Sequence, residues 1–292
     1  MVRFKLDHLV FACATLQQAE TFSLSKFGIK PHLGGKHEFM GTHNSLIKLG
    51  SSKLSPKVGL ERTYLEFISV DPNGVFMPNE THKRRWFNLD DEKLQVELKE
   101  NGPKLIHFVV SMEDENISLE NFKTRLETLH EDSLFRTDKF HLGNVVQGSR
   151  TTLQGAKLKW SICIRQDGRL LMNGLFPTLI QWNTTTNSAN YNGDDSRRTT
   201  NGTKAFGVHP TDLLPNDDGL VLKQFKVFFG CEKTKQNLIR LISSLNPSEE
   251  GQNNSLNKAI RGVQFESRAT NGFEAVFQSN SQNIIIRDLV TD

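Results

Sequence analysis

The amino-acid sequence predicts an α+β protein built from tandem βαβββ modules, with a partial third module at its C-terminal end. First, the order strand, helix, strand, strand, strand occurs over residues 6–72 and again over residues 104–182. Second, a stretch at 183–204 rich in Asn, Thr, Ser, Gly and Asp separates these copies from a segment at 205–292. We therefore expect a double-module domain over 1–182, a polar linker or loop, and a smaller α+β unit.

The first copy begins with a strand-like run at 6–13. Thr15 is expected to cap the following helix, with Gln18 completing a capping box, and Gly28 is expected to end it. The remaining three strands of this module are predicted at 31–39, 45–49 and 63–70.

The second copy begins with a strand at 105–111. Its helix is indicated by one apolar face, formed by Leu119, Phe122, Leu126 and Leu129. Its last three strands are predicted at 157–165, 169–172 and 178–182. The C-terminal segment has a weaker pattern of the same order, with strands at 220–229, 263–266, 273–277 and 284–287 and a helix around 238–245.

The two copies carry polar side chains at matching places. Aligning their first strands superposes His8 on His107, and aligning their last strands superposes Glu66 on Gln181. Alternation puts Glu66 on the face opposite its apolar neighbours, so it faces either solvent or an enclosed site. Each histidine could equally be a core residue bonded to backbone.

Composition excludes several classes of protein. A net charge of +3 is small for 292 residues, which argues against nucleic-acid binding. Three scattered cysteines predict neither a disulfide framework nor a thiolate metal site. The first residues lack the apolar core of a signal peptide and no run is long enough to span a membrane, so we expect a cytoplasmic protein with no membrane partner.

Three segments of the first copy carry a resemblance to a known family. They are LDHLV at 6–10, GGKHEFMGTHNSLIKLG at 34–50 and YLEFI at 64–68. A weaker match follows at Ser149-Arg150, Trp160 and 176–182. With these motifs the chain resembles the glyoxalase-like branch of the vicinal-oxygen-chelate superfamily, which includes glyoxalases, bleomycin-resistance proteins and extradiol dioxygenases. An acidic residue is common in this branch where Gln181 stands, so Gln181 is a departure from the pattern.

The resemblance implies curved mixed sheets that form a cup around a divalent metal such as Fe, Mn, Zn or Ni. It implies His8, Glu66, His107 and Gln181 as the metal ligands. Two imidazoles and a carboxylate leave coordination positions open for two neighbouring oxygens of a substrate. The implied function is a metal-dependent lyase, isomerase or dioxygenase acting on a small oxygenated organic molecule.

The resemblance also implies further site residues. His37 is a candidate acid–base group beside Glu66, and the candidate substrate contacts are His43, Asn44, Arg150 and Trp160. Arginine suits a carboxylate or phosphate, but Arg150 could equally be an ordinary surface residue. The polar residues of 34–44 could likewise only satisfy their own hairpin.

The main alternative is a metal-free protein that binds or sequesters a small hydrophobic or aromatic ligand in the same cup, consistent with 20 Phe residues. A scaffold whose connector at 183–204 docks a partner is a third interpretation. No glycine-rich nucleotide signature occurs, so we expect no nucleotide cofactor. The expected partner is a small molecule, and a homodimer is one candidate assembly.

Overall fold

A computed structural model gives the fold and describes residues 4–50, 62–112, 117–131, 141–152, 155, 157–183, 208–215, 219–244 and 260–290. Apart from Asn183, the predicted connector at 183–204 lies outside these residues, so the domain boundaries stay predictions. None of the helices in these ranges is long and apolar enough to cross a membrane.

The first module has the predicted order of elements. It consists of β1 (Phe4–Ala12), α1 (Leu16–Phe27), β2 (His32–His37), β3 (Thr42–Lys48) and β4 (Tyr64–Val70). α1 begins at the predicted cap, because the Thr15 side chain accepts a hydrogen bond from the Gln18 N–H. The Gln18 side chain accepts from the Ala14 N–H at 3.0 Å, one residue before the cap. The helix ends at Gly28, whose φ of 71° is left-handed.

The second module follows a helix that the sequence did not predict, α2 (Glu92–Asn101). It consists of β5 (Lys104–Met112), α3 (Leu119–Glu131), β6 (Asn144–Thr151), β7 (Lys157–Ile164) and β8 (Thr178–Trp182). The strand predicted at 169–172 is wrong, because Met172 and Asn173 have φ of 51° and 53° within a 3-10 turn. β6 is the missing strand. Its Gly148 weakens the sequence signal, yet it packs so closely on Trp160 that a Cβ would lie 2.3 Å from the indole ring.

All eight strands of the two modules form one mixed sheet in the order β2-β3-β4-β1-β5-β8-β7-β6. β1 and β5 pair antiparallel at its centre, and each pairs in parallel with the last strand of its own module. The edge strands approach each other, because a Cβ at Gly35 of β2 would lie 3.1 Å from the Thr151 carbonyl oxygen of β6. The sheet is therefore curled almost into a barrel, and the predicted fold class is confirmed.

The outer face of this sheet carries the main apolar core. Phe11, Phe67 and Phe108 are fully buried there. The ring of Phe108 lies 5.2 Å from Phe225 and 6.2 Å from Phe273, centroid to centroid. These contacts join the sheet to the C-terminal unit, so many of the phenylalanines serve the core between the two sheets.

The C-terminal unit begins with a short helix, α4 (Pro210–Leu213). It continues with β9 (Val221–Phe229), α5 (Glu232–Ser244), β10 (Gln264–Ser267), β11 (Gly272–Ser279) and β12 (Gln282–Leu289). Its four strands form a second sheet in the order β10-β9-β11-β12. The order along the chain repeats that of the modules, but β9 pairs in parallel with β10, the first strand after its helix. In the modules the parallel partner is the last strand, so the unit shares their element order and not their strand order.

Candidate functional site

The inner face of the curved sheet lines a narrow cavity with about 30 Å³ of free space. Strand alternation turns His8 and Glu66 inward, while Leu65 and Phe67 point outward into the core. The cavity is lined by His8, His37, Asn44, Tyr64, Glu66, Trp86, Phe87, Arg150, Trp160, Ile162, Ile180 and Trp182.

One wall of the cavity is a chain of acidic and imidazole groups that begins at Asp7. A bulge in β1 lies between Leu6 and His8, and the Asp7 carboxylate contacts His8 Nδ1 at 2.7 Å. An ionised carboxylate only accepts hydrogen bonds, so Nδ1 of His8 carries a proton. The other ring nitrogen, Nε2, faces Glu66 at 3.5 Å from Oε2.

Asp7 is fully buried and has two further partners. Its Oδ2 accepts a hydrogen bond from Trp182 Nε1 at 3.0 Å and lies 3.3 Å from His209 Nε2. Burial alone would raise the pKa of the Asp7 carboxyl, but the charge and hydrogen bonds of His209 and His8 outweigh it. The pKa therefore lies far below its usual value, and Asp7 is ionised.

Glu66 is held from the other side by Asn44 and His37. Asn44 Nδ2 donates to Glu66 Oε1 at 2.6 Å and lies 3.4 Å from His37 Nε2. His37 Nδ1 is 3.1 Å from the Thr42 hydroxyl. Burial, followed by the positive charge of Arg150, lowers the pKa of His37 well below its usual value, so His37 is neutral.

Aromatic rings form the rest of the wall. All three tryptophans of the chain line the cavity. Trp86 meets the edge of His37 with 4.9 Å between ring centroids, and Tyr64 stacks on His8 at 4.5 Å. The site is a small apolar enclosure with a few convergent polar groups, which is typical of a small-molecule site.

Arg150 stands opposite the acidic groups. It is 6% exposed, and its Nη1 has no hydrogen-bond partner. No carboxylate of the described residues forms an ion pair with it. The surface alternative raised by the sequence is therefore wrong for Arg150, which is buried in the cup.

The structure brings together six of the nine residues that the sequence predicted for the site. They are His8, His37, Asn44, Glu66, Arg150 and Trp160. His43 is not among the lining residues. It neighbours Asn44 on β3 and so points to the opposite face, where the charges of Asp71 and Lys36 act on it. The roles of the six residues stay predictions.

His107 lies on the inner face but is turned to other partners. Its Nδ1 lies 3.1 Å from the Gly174 carbonyl oxygen, and its Nε2 accepts a hydrogen bond from the Thr178 N–H at 3.1 Å. Phe87, which lines the cavity, packs against the ring. Both ring nitrogens are occupied, so no lone pair of His107 faces the cavity.

Gln181 is on the opposite face of the sheet. Its side chain accepts a hydrogen bond from the Leu119 N–H at 3.0 Å and donates to the Ile117 carbonyl at 3.2 Å, which anchors the start of α3. The alignment of Gln181 with Glu66 is corrected by the strand register. In the first module, Glu66 of β4 pairs with Val10 of β1. When His8 is aligned with His107, the counterpart of Val10 is Val109, and Val109 pairs with Thr178 of β8. Thr178 is thus the counterpart of Glu66, three residues before Gln181.

The metal set implied by the resemblance is therefore only half assembled. Ligand atoms bound at 2.0–2.2 Å with a tetrahedral angle are about 3.4 Å apart, so His8 Nε2 and Glu66 Oε2, at 3.5 Å, could share one ion. Asp7 behind His8 is the second partner that metal-bound histidines commonly have. Over the described ranges, no three His, Cys, Asp or Glu side chains are grouped to hold a metal. The residues do not form the four-ligand set.

Several lining or supporting residues were missed from the sequence. Trp86 gave no signal beyond its residue type. His209 follows the connector and reaches Asp7 across 202 residues of chain. Two of the missed residues had a sequence signal that could have identified them: Asp7 is next to His8 in the Asp-His pair, and Trp182 ends the matching segment at 176–182.

Comparison with known proteins identifies the family. The family model described as "Glyoxalase-like domain" matches residues 6–211, more than half of the 292-residue chain. The chain belongs to the glyoxalase-like domain family. The resemblance to the vicinal-oxygen-chelate superfamily is thereby confirmed, and the matched range of this glyoxalase-like protein includes His209 as well as both modules.

Solved structures similar to this glyoxalase-like protein have low sequence identity to it. A hypothetical protein from Staphylococcus aureus is 14% identical, with a TM-score of 0.44, over 97% of this chain and 85% of that one. Methylmalonyl-CoA epimerase from Mycobacterium tuberculosis is 12% identical, with a TM-score of 0.31, over 61% of this chain and 86% of that one. No curated protein matches the sequence.

Proposed function

We propose that this glyoxalase-like protein is an enzyme that removes and returns a proton at a carbon next to an oxygenated carbon of a small organic molecule, with Glu66 as the base. This is the isomerase or lyase side of the chemistry implied by the sequence. The observation that carries the proposal is the setting of Glu66. Its carboxylate is 5% exposed, Oε1 is fixed by Asn44, and Oε2 faces His8 inside the cavity.

The acid–base groups around Glu66 support proton transfer. Nε2 of His8 lies 3.5 Å from Glu66 Oε2, close enough to exchange a proton with Glu66. The ionised Asp7, 2.7 Å from Nδ1, would stabilise the resulting imidazolium. The guanidinium of Arg150 lines the same cavity and can stabilise the negative charge that develops on the substrate.

A divalent metal is compatible with this proposal but is not part of its steps. His8 and Glu66 would hold the ion, with Asp7 orienting His8. When bound, such an ion would act as a Lewis acid on a substrate oxygen. The cytoplasmic location and the homodimer stay predictions.

The test is hydrogen–deuterium exchange at the carbon next to the carbonyl, followed by NMR in D₂O with a panel of 2-oxo and 2-hydroxy acids. Protein stripped with EDTA is compared with protein given Fe²⁺, Mn²⁺, Zn²⁺ or Ni²⁺. Loss of a general base lowers rates by roughly 10²–10⁴-fold, which we expect for Glu66→Gln. The control is Glu97→Gln, which removes a carboxylate from a partly buried pair with Lys104 outside the cavity. Exchange by Glu66→Gln at the wild-type rate would contradict the proposal.

The second candidate is the metal-free binding protein, which the aromatic walls favour. The observation behind it is that Trp86, Trp160 and Trp182 all line the same cavity. This candidate would be supported if aromatic ligands raise the melting temperature of EDTA-treated protein and no tested substrate exchanges hydrogen for deuterium.

A further inference from the structure

Arg150 is a buried charge that forms no ion pair with any carboxylate of the described residues. A guanidinium removed from water without a partner is strongly destabilising. The charge of Glu66 acts on Arg150 from within the same cavity, but the Glu66 oxygens are turned toward Asn44 and His8. The fold therefore leaves one positive charge at this point that a bound anion would neutralise.

The space around Arg150 is kept open by glycine. A Cβ at Gly34 would lie 3.0 Å from Arg150 Nη1 and 2.2 Å from Asn44 Oδ1. Both of these polar atoms are buried and have no hydrogen-bond partner. A side chain at position 34 would thus displace the two groups that face each other across β2, and only glycine fits there without moving them.

Arg150 also borders a second space, outside the cup. A groove of about 820 Å³, open solvent included, is lined by Arg150, by the polar residues His32 and Thr152, and by apolar residues that include Leu33, Leu46 and Pro215. Leu46 is buried, whereas Leu33 is 61% exposed and offers apolar surface to a ligand. Arg150 lines both the cavity and the groove, so it is a residue that a ligand in either space would contact.

We propose that Arg150 binds the carboxylate of an organic acid whose apolar chain lies in the groove beside Leu33, Leu46 and Pro215. With the carboxylate on Arg150, the neighbouring carbon lies at the entrance of the cavity that holds Glu66. An acid with an oxygen substituent on that carbon and a hydrocarbon chain beyond it fits both spaces. The inference rests on the proposed function only in naming this acid as the substrate.

The binding test uses the full chain and simple probes, measured by calorimetry and thermal shift. The probes are the straight-chain carboxylates from acetate to octanoate, the corresponding neutral amides, and inorganic phosphate. We expect octanoate to bind more tightly than acetate and octanamide not to bind. Arg150→Met should weaken octanoate binding by roughly 10–100-fold, the value of a charge-assisted hydrogen-bond pair. Binding of phosphate but of no carboxylate, or equal binding by Arg150→Met, would overturn the assignment.

The groove has its own pair of variants. Leu33→Ser should weaken octanoate binding and leave acetate binding unchanged. The matched control is Val75→Ser, because Val75 is an aliphatic residue of similar exposure, 71%, outside the groove. If both variants affect octanoate equally, the chain does not lie in the groove and the proposal fails.

Stability separates a ligand-binding arginine from a structural one. Because Arg150 forms no ion pair with the described carboxylates, Arg150→Met should leave the melting temperature of the ligand-free protein unchanged or higher. A clear decrease in melting temperature would show that Arg150 is structural and would overturn the proposal.

Glu66→Gln distinguishes this proposal from the proposed function. That variant should lose proton exchange and still bind octanoate at least as tightly, since a negative charge near the anion is removed. Exchange that depends on Glu66, without carboxylate binding, would refute only the Arg150 assignment. Carboxylate binding through Arg150, without exchange by the wild type, would refute only the proposed reaction.

Discussion

His107 should make the protein less stable in mild acid, and His107→Gln should remove that dependence. Burial lowers the pKa of His107 from its usual 6.5 to about 3. The geometry agrees, because a proton on Nε2 would point at the Thr178 N–H that donates to it. Gln cannot titrate, yet it offers one donor and one acceptor in place of the two ring nitrogens.

The sign and the size of this change in unfolding free energy with pH follow from proton linkage. Between pH 6.5 and pH 3 the unfolded chain binds a proton at this histidine and the folded chain does not, so stability falls as the pH falls. At pH 5 the loss is roughly 2 kcal/mol relative to pH 8, since each pH unit below the unfolded pKa costs about 1.4 kcal/mol. The folded pKa lies well below 5, so the size of this loss is set almost entirely by the unfolded chain.

The assay is urea unfolding of wild type and His107→Gln at pH 8, 7, 6 and 5, in EDTA. Gln differs from imidazole in shape, so the quantity compared is the change in unfolding free energy with pH, not its value at one pH. Wild type should lose roughly 2 kcal/mol more than the variant between pH 8 and pH 5. Equal losses would refute the interpretation of His107 as a buried neutral residue with both nitrogens occupied.

Three further predictions concern single residues. Burial raises the pKa of Asp288 to about 6; the folded state then holds a proton that the unfolded state releases, so stability falls as pH rises from about 4 to 6. Asp288→Asn should therefore increase the unfolding free energy at pH 8 by at most about 3 kcal/mol, and by nearly nothing at pH 4, in urea unfolding. Asp7→Asn should lower proton exchange by roughly 10–100-fold, as loss of an orienting partner does, and exchange at the wild-type rate would show that His8 does not depend on Asp7. Gly34→Ala should destabilise the protein by roughly 1–3 kcal/mol, because its Cβ overlaps Asn44; an unchanged melting temperature would contradict the close packing at this position.

Local sequence patterns were sufficient for most of the elements and for half of the residues that line the cavity. Thr15 and Gly28 mark the ends of α1 through hydrogen-bonding and φ preferences that act within a few residues. Glu66 on β4 was found from the alternation of its strand, and His8 on β1 from the matching histidine of the second copy. Strand β6 was missed because the residue that interrupts its pattern, Gly148, is required by the Trp160 ring, which belongs to another strand.

The sequence by itself determined the repeated order of elements and the family, and it singled out His8 and Glu66 as site candidates, which the structure places 3.5 Å apart. Only the tertiary structure decided the strand register, which matches Glu66 with Thr178 and not with Gln181. The two positions differ by three residues, and an odd shift along a strand moves a side chain to the other face of the sheet. The partners of Asp7 were also decided by folding, since the contact with His209 joins residues 202 positions apart. Periodicity acts over a few residues, whereas register and long-range contacts depend on how whole strands pair.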